Sequence, residues 1–240
     1  HLDLTNYTAD LMVTLSGIGS TDGFAGNEAA NSVTFANIDQ LTGGSGSNTL
    51  TGINSAATWT LNGTNSYQST NSLTFSNFFN LTGGSDADTF DLTPAAEAFN
   101  ITGGDPTGNP LGDRLNIDTA AVGNALVTSN GSDAGSVTGA FPTVTYSEIE
   151  NFAISGIVDV QLDGTSSDDV IEIRVVGSDI EYRIDGTLIG TSSLTGTNSI
   201  TVYAGEGDDS LTVDSALAAE GITVDYDGEG NNSTNPGDVL

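Results

Sequence analysis

The sequence predicts an all-β chain: a right-handed parallel β-helix, or β-solenoid, of short strands, with two tandem Ig-like β-sandwiches as the alternative. Three observations lead there. Blocks of β-branched and aromatic residues recur along the chain ("LMVTL", "SVTF", "SLTF", "VIEIRVV", "SITVY", "GITVDY"). Gly, Asn, Asp and Ser turns separate these blocks, which is the punctuation of strands. The blocks also repeat: "NSVTFANIDQLTGG" (31–44) returns as "NSLTFSNFFNLTGG" (71–84) and, more loosely, as "PTVTYSEIENFAIS" (142–155).

A longer period encloses the short one. "GGSGSNTL" (43–50) aligns with "GTSSDDVI" (164–171), and "GGSDADTF" (83–90) with "AGEGDDSL" (204–211). "HLDLTNYTADLMVT" (1–14) parallels "RLNIDTAAVGNALVT" (114–128), which places Leu2, Leu115 and Leu240 at equivalent positions. We therefore read two repeat units, 1–121 and 122–240, as one continuous solenoid or two modules, cut from a tandem array. The chain opens as if in mid-strand.

The solenoid reading rests on the turns, because Asn48, Asp88 and Asp113 recur as rung corners would. It expects one rung for about 20 residues. The sandwich reading fits the unit length but expects a central tryptophan in each copy, and Trp59 stands alone. Helix signals are confined to "PAAEAF" (94–99) and "DSALAAEG" (214–221), matched places in the two copies. The second offers Asp214 or Ser215 as N-cap and Gly221 as stop. A short helical loop is expected in both units.

Composition separates this chain from acidic disorder, which lacks regularly spaced β-branched and aromatic residues. It carries 32 acidic residues against three basic ones, Arg114, Arg174 and Arg183, a net charge of −29. Such a field repels nucleic acid and anionic membrane surfaces and favours divalent cations. No run approaches the ~20 apolar residues that span a bilayer as a helix. With no cysteine, no lysine, and His1 as the only histidine, thiol, Schiff-base and triad chemistry lack their groups. A carboxylate pair could still serve a polysaccharide-cleaving β-helix. The aromatics Phe35, Phe75 and Tyr146, however, fall at repeat positions and read as core. Phe78–Phe79 reads as one ring inward and one over a neighbouring loop.

The turns "GGSGSNTLTG", "GGSDADTFD", "AGEGDDSLTVD" and "DGEGNNSTN" resemble the GGxGxDxLx nonapeptide of the RTX (haemolysin-type) calcium-binding repeats. They are spaced out rather than back to back. The wider pattern resembles the β-repeats of giant bacterial surface and secreted adhesins. These resemblances imply an extracellular or cell-surface, non-enzymatic repeat, with Ca²⁺ at some turns. Asp105–Pro106 resembles the acid-labile bond of self-processing RTX modules.

The candidate metal ligands are Asp86, Asp88, Asp168, Asp169, Glu206, Asp208, Asp209 and Asp227. A D-x-D pair in a strand aims two carboxylates to one side, and glycine loops add carbonyl oxygens toward the six to eight that Ca²⁺ takes. Glu229 and Asp238 lie just beyond. The competing reading is that Asp and Asn after Gly bond their own backbone and shape the turn without metal. Asn48, standing where Asp88 stands, suits that reading. The expected function is a calcium-stabilised spacer, stalk or assembly element whose partners are neighbouring repeats of the same chain, with head-to-tail self-association as an extension. The alternative is a calcium-dependent glycan-binding or adhesive module.

Overall fold

Alternation of apolar and polar side chains fixes how each strand lies. In Met12–Ile18, Val13 and Leu15 are buried while Met12, Thr14 and Ser16 face outward, the period of two that one buried face requires. The computed structural model describes residues 1–104, 112–129 and 133–228. It is all-β, with 54% of residues in strands and 2% in helix. The chain divides into two compact units, His1–Asn116 with Tyr146–Ile149, and Ile117–Thr145 with Glu150–Leu240.

In the first unit the strands are β1 (Leu2–Asp3), β2 (Met12–Ile18), β3 (Phe24–Glu28), β4 (Val33–Ile38), β5 (Gln40–Thr42) and β6 (Thr49–Thr51). They continue with β7 (Thr58–Leu61), β8 (Asn65–Gln68), β9 (Ser72–Ser76), β10 (Asn80–Thr82), β11 (Thr89–Leu92) and β12 (Phe99–Thr102). One sheet runs β1-β5-β9-β8-β7-β11 and takes the start of β13 (Arg114–Asp118) beside β11. The other runs β4-β3-β2-β6-β10-β12 and takes the end of β16 (Val144–Ser147) beside β12. The chain passes from one sheet to the other at each corner, so neighbouring rungs pair in parallel: Val13, Leu50, Leu81 and Ile101 stack in register. Phe24 and Tyr67 meet across the two sheets with ring centroids 5.3 Å apart. Trp59, fully buried, lies against Tyr67, Phe75 and Phe90. This aromatic cluster is the centre of the first core.

The second unit holds β14 (Ala125–Ser129), β15 (Gly135–Gly139), β17 (Asn151–Ser155), β18 (Val158–Asp163), β19 (Val170–Val176) and β20 (Asp179–Ile184). It ends with β21 (Thr187–Ser193), β22 (Thr197–Tyr203), β23 (Ser210–Val213), α1 (Ala216–Ala219) and β24 (Thr223–Asp227). Its sheets run β17-β21-β20-β19-β23 and β15-β14-β18-β22-β24. Val127, Val160, Ile200 and Val224 stack in register as their counterparts do. Strands β1 to β12 thus have the same roles, in the same order, as β13 to β24.

The parallel pairing between rungs is that of a solenoid; an Ig-like sandwich is antiparallel. Only part of the chain keeps a 20-residue rung, as between Asn80 and Asn100. Elsewhere a three-stranded antiparallel meander (β2-β3-β4, β7-β8-β9, β19-β20-β21) lengthens the rung by two strands, and β14 and β15 form an antiparallel pair with β16 next in the sheet.

Two sequence expectations are corrected. The loop 93–98 is not helical, although its counterpart contains α1. The first loop has six residues and a buried Pro94 between β11 and β12. The longer second loop accommodates a helical turn, with the Ala216 N–H donating to Asp214 (2.9 Å) and Gly221 at φ 77° closing it. The alignment of 43–50 with 164–171 also fails. Residues 43–48 leave the β5 sheet for the β6 sheet, whereas 164–169 make the opposite passage and match 52–57. Both corners need the same local turn, so local likeness did not tell them apart.

Candidate functional site

The acidic turns sit where a strand ends, the backbone folds over itself and the next rung follows. At the corner into β11, Asp88 is 2% exposed. Its Oδ2 accepts the Gly84 N–H (2.6 Å) within its own turn, and its Oδ1 accepts the Ala57 N–H (2.8 Å) of the rung before. The Asp88 N–H in turn donates to Asp113 Oδ1 (2.6 Å) on the rung after. Backbone bonds run alongside, from Thr89 N–H to the Ala57 carbonyl (2.9 Å) and from Arg114 N–H to the Asp88 carbonyl (2.8 Å). A side chain on Gly83 would strike the Gly103 carbonyl and lie 2.6 Å from Asp88 Oδ2, which is why glycine opens the turn. Burial pushes the Asp88 carboxyl up to about 6; the Gly84 and Ala57 N–H groups oppose this, and the charge of Asp86 adds to it.

The second unit repeats the device with an added bond. Asp169, 2% exposed, accepts the Thr165 N–H on Oδ2 (2.6 Å) and donates its own N–H to Asp209 Oδ1 (2.8 Å). One residue back, the Asp208 N–H donates to Asp168 Oδ1 (2.9 Å). Each Asp-Asp pair therefore accepts one N–H from the other: Asp168 from the later turn, Asp209 from the earlier. Charge-assisted bonds of this kind are stronger than neutral ones.

The opposite corner of the first unit shows the same clasp without a buried charge. Leu11 N–H donates to Asn48 Oδ1 (3.0 Å), and Ser47 N–H donates to Asp10 Oδ1 (2.7 Å). Where Asp88 accepts a backbone N–H in its own turn, Asn48 donates, to the carbonyls of Gly44 (3.0 Å) and Asn77 (2.7 Å). The turn thus tolerates amide or carboxylate by offering C=O or N–H to the second side-chain atom.

Of the predicted ligands, Asp88, Asp169 and Asp209 are buried, and Asp113, which accepts the Asp88 N–H, is buried as well. Asp86 and Asp208 are half-buried, while Asp168, Glu206 and Asp227 are exposed. The structure brings Asp168 and Asp169 against Asp208 and Asp209 through backbone N–H groups. Among the described residues, no three His, Asp or Glu side chains form a group able to hold a metal ion. Glu229, Asp238, Asp105–Pro106 and most of "DGEGNNSTN" lie outside the described residues. Sequence reasoning passed over Asp10; the available signal was a carboxylate one residue before a strand-opening corner, as at Asp168. Phe78 is fully buried and Phe79 meets the Phe99 ring edge-on at 6.0 Å, so both rings belong to packing.

Chemically, the arrangement pins one turn to the next and gives the coil carboxyls that are out of water. Compared with known proteins, the chain matches no family model, no curated sequence and no solved structure.

Proposed function

We propose that the chain is a structural repeat, serving as spacer, stalk or assembly element in a secreted or cell-surface bacterial protein. One observation carries this reading: the buried carboxylates of Asp88, Asp113 and Asp209 each accept a backbone N–H from an adjacent rung, and so serve the stacking of the coil itself. A stack in which each rung binds only its neighbours is extended by adding rungs, which is what a spacer requires. The likeness of the turns to RTX nonapeptides supports an extracellular setting.

Calcium enters this reading at the outward carboxylates, Asp86, Asp168, Glu206, Asp208 and Asp227, where it would relieve like-charge repulsion. A ligand at about 100 times its dissociation constant adds about 2.7 kcal/mol per site. Melting in millimolar Ca²⁺ against excess EDTA tests this part, with a higher midpoint in calcium expected. Coincident midpoints remove calcium and leave the stacking intact. The spacer role is tested on the gene that encodes the chain. Many further copies of the twelve-strand unit support it; one copy beside a catalytic domain contradicts it.

A further inference from the structure

We propose that the outward face of the second unit binds one ring of a neutral polysaccharide, in the groove between Asp163 and Tyr203. This site adds a ligand to the structural-repeat reading and does not depend on it.

The repeat supplies its own control. β6 and β10 in the first unit have the roles of β18 and β22 in the second, down to the bond at the corner: the Gly52 N–H donates to the Thr82 carbonyl (2.9 Å) as the Gly164 N–H donates to that of Tyr203 (2.8 Å). In the first unit the last outward residues before the corner form a row of threonines, Thr51, Thr82 and Thr102, paired in register. The second unit has Asp163, Tyr203 and Asp227 in that row. Threonine therefore suffices for the fold, and a half-buried aromatic ring between two carboxylates is an addition to it. Among the described residues, neither the Tyr203 hydroxyl nor Asp163 Oδ2 has a hydrogen-bond partner. Both strands are interior to their sheet, with β24 on one side and β14 on the other. The groove thus owes nothing to where the sequence starts or stops.

The floor of the groove is bare backbone. A Cβ on Gly164 would strike the Ala204 carbonyl, and one on Gly205, at φ 94°, the Thr165 carbonyl. Neither position can carry a side chain to fill the space beside the ring, and about 320 Å³ stays open between Gln161, Asp163, Gly164, Tyr203 and Gly205. Small-molecule sites run from about 300 to 1,000 Å³, so this one has room for a single sugar ring. The lining decides the class of ligand. Gln161 Nε2 donates to Asp163 Oδ1 (2.8 Å), which leaves Gln161 Oε1 and Asp163 Oδ2 as acceptors. Acceptors beside an aromatic face suit a pyranose, which offers O–H donors at its rim and C–H groups on its flat side. Anions are repelled: no Lys or Arg lines the groove, Asp225 and Asp227 stand on the next strand, and the chain carries −29. That sets aside uronate, sulfated and phosphorylated sugars. An organic ammonium would satisfy the carboxylates, but it needs no glycine floor and finds carboxylates at every acidic corner of this chain.

So acidic a chain migrates fast in native gels, which makes affinity electrophoresis a sensitive test. Gels holding a β-glucan, an α-glucan, a galactomannan or a xylan, all with EDTA, are compared with a gel that holds none. At least one of these neutral polysaccharides is expected to retard the parent chain. Tyr203→Thr and, separately, Asp163→Thr install the residues of the first unit's row, and each is expected to abolish the retardation while the circular dichroism spectrum is retained. Tyr203→Phe is expected to keep most of it, and Thr82→Ala, in the twin row, all of it. In proton–nitrogen correlation spectra, a soluble oligomer of the retarding polysaccharide is expected to shift the amides of Gly164, Tyr203 and Gly205. Retardation by none of the polysaccharides, retardation that survives both threonine variants, or shifts confined to other amides overturns the sugar site. Shifts of these three amides by tetramethylammonium chloride, with no polysaccharide retarding the chain, overturn it in favour of an organic cation. Because calcium is excluded throughout, the calcium part of the functional reading stands or falls separately.

Discussion

Replacing Asp88 by Asn separates the two properties of that side chain, accepting N–H groups and carrying charge. The amide keeps the Oδ1 acceptor for Ala57 but presents hydrogens to the Gly84 N–H, which Oδ2 now accepts at 2.6 Å. One buried donor left unmet costs about 1–3 kcal/mol. The carboxyl, by contrast, rises from an ordinary 3.8 to about 6 through burial, so the folded chain holds that proton more tightly than the unfolded chain. The stabilisation from this group is therefore complete below about pH 4 and is lost as pH climbs through about 6. At 1.36 kcal/mol for each pKa unit, the loss is about 3 kcal/mol. Asn does not titrate. Near pH 4 the variant is expected to be less stable than the parent by about 1–3 kcal/mol, and near pH 7 the gap closes or changes sign. Urea unfolding across this range, followed by the fluorescence of the fully buried Trp59, reads the gap directly. A gap that widens as pH rises would mean that the folded chain favours the charged carboxylate, contrary to a carboxyl raised by burial.

Other substitutions probe the same framework. Gly83→Ala drives a methyl into the Gly103 carbonyl and is expected to cost about 3 kcal/mol in urea unfolding, whereas Gly63→Ala meets open space and bears only the left-handed φ of 89°, about 1–2 kcal/mol. Equal costs would contradict the close approach of rungs at the turn. Glu28 is 1% exposed; burial raises its carboxyl, but hydrogen bonds from Asn31, Met12 and Ala30 outweigh this and hold it below its usual range. Its stabilisation is present above the usual glutamate range and is lost as pH falls, so Glu28→Gln is expected to cost about 2–3 kcal/mol at neutral pH and less in acid.

Much of the fold was legible because a rung leaves local marks. β-branched residues at alternate positions, glycines at corners and a closing Asp or Asn follow from pleat and turn sterics, and they point to stacked strands. The meanders were not legible as such: "VIEIRVV" reads as a strand whether its neighbour is parallel or antiparallel. Nor could residues 43–50 and 164–171 be placed at different corners, because Asn48 and Asp169 solve the same local problem. The candidate turns were found, yet the direction of Asp88 and Asp209 depends on N–H groups 31 and 40 residues away, a relation fixed by register. The helix expected at 94–99 fails on loop length, set by where β12 must begin.

Buried side chains of the turns hold successive rungs together, and amide hydrogen exchange reads that contact residue by residue. In the parent chain, the amides of Ala57, Asp88 and Asp169 are expected to exchange as slowly as those inside β10 and β11. Asp113→Ala is expected to speed exchange at Asp88 by about tenfold or more, the loss of roughly one buried hydrogen bond, while Ala57 keeps its protection from Asp88. Exchange at Asp88 as fast as in an exposed loop, or unchanged in Asp113→Ala, would contradict the claim.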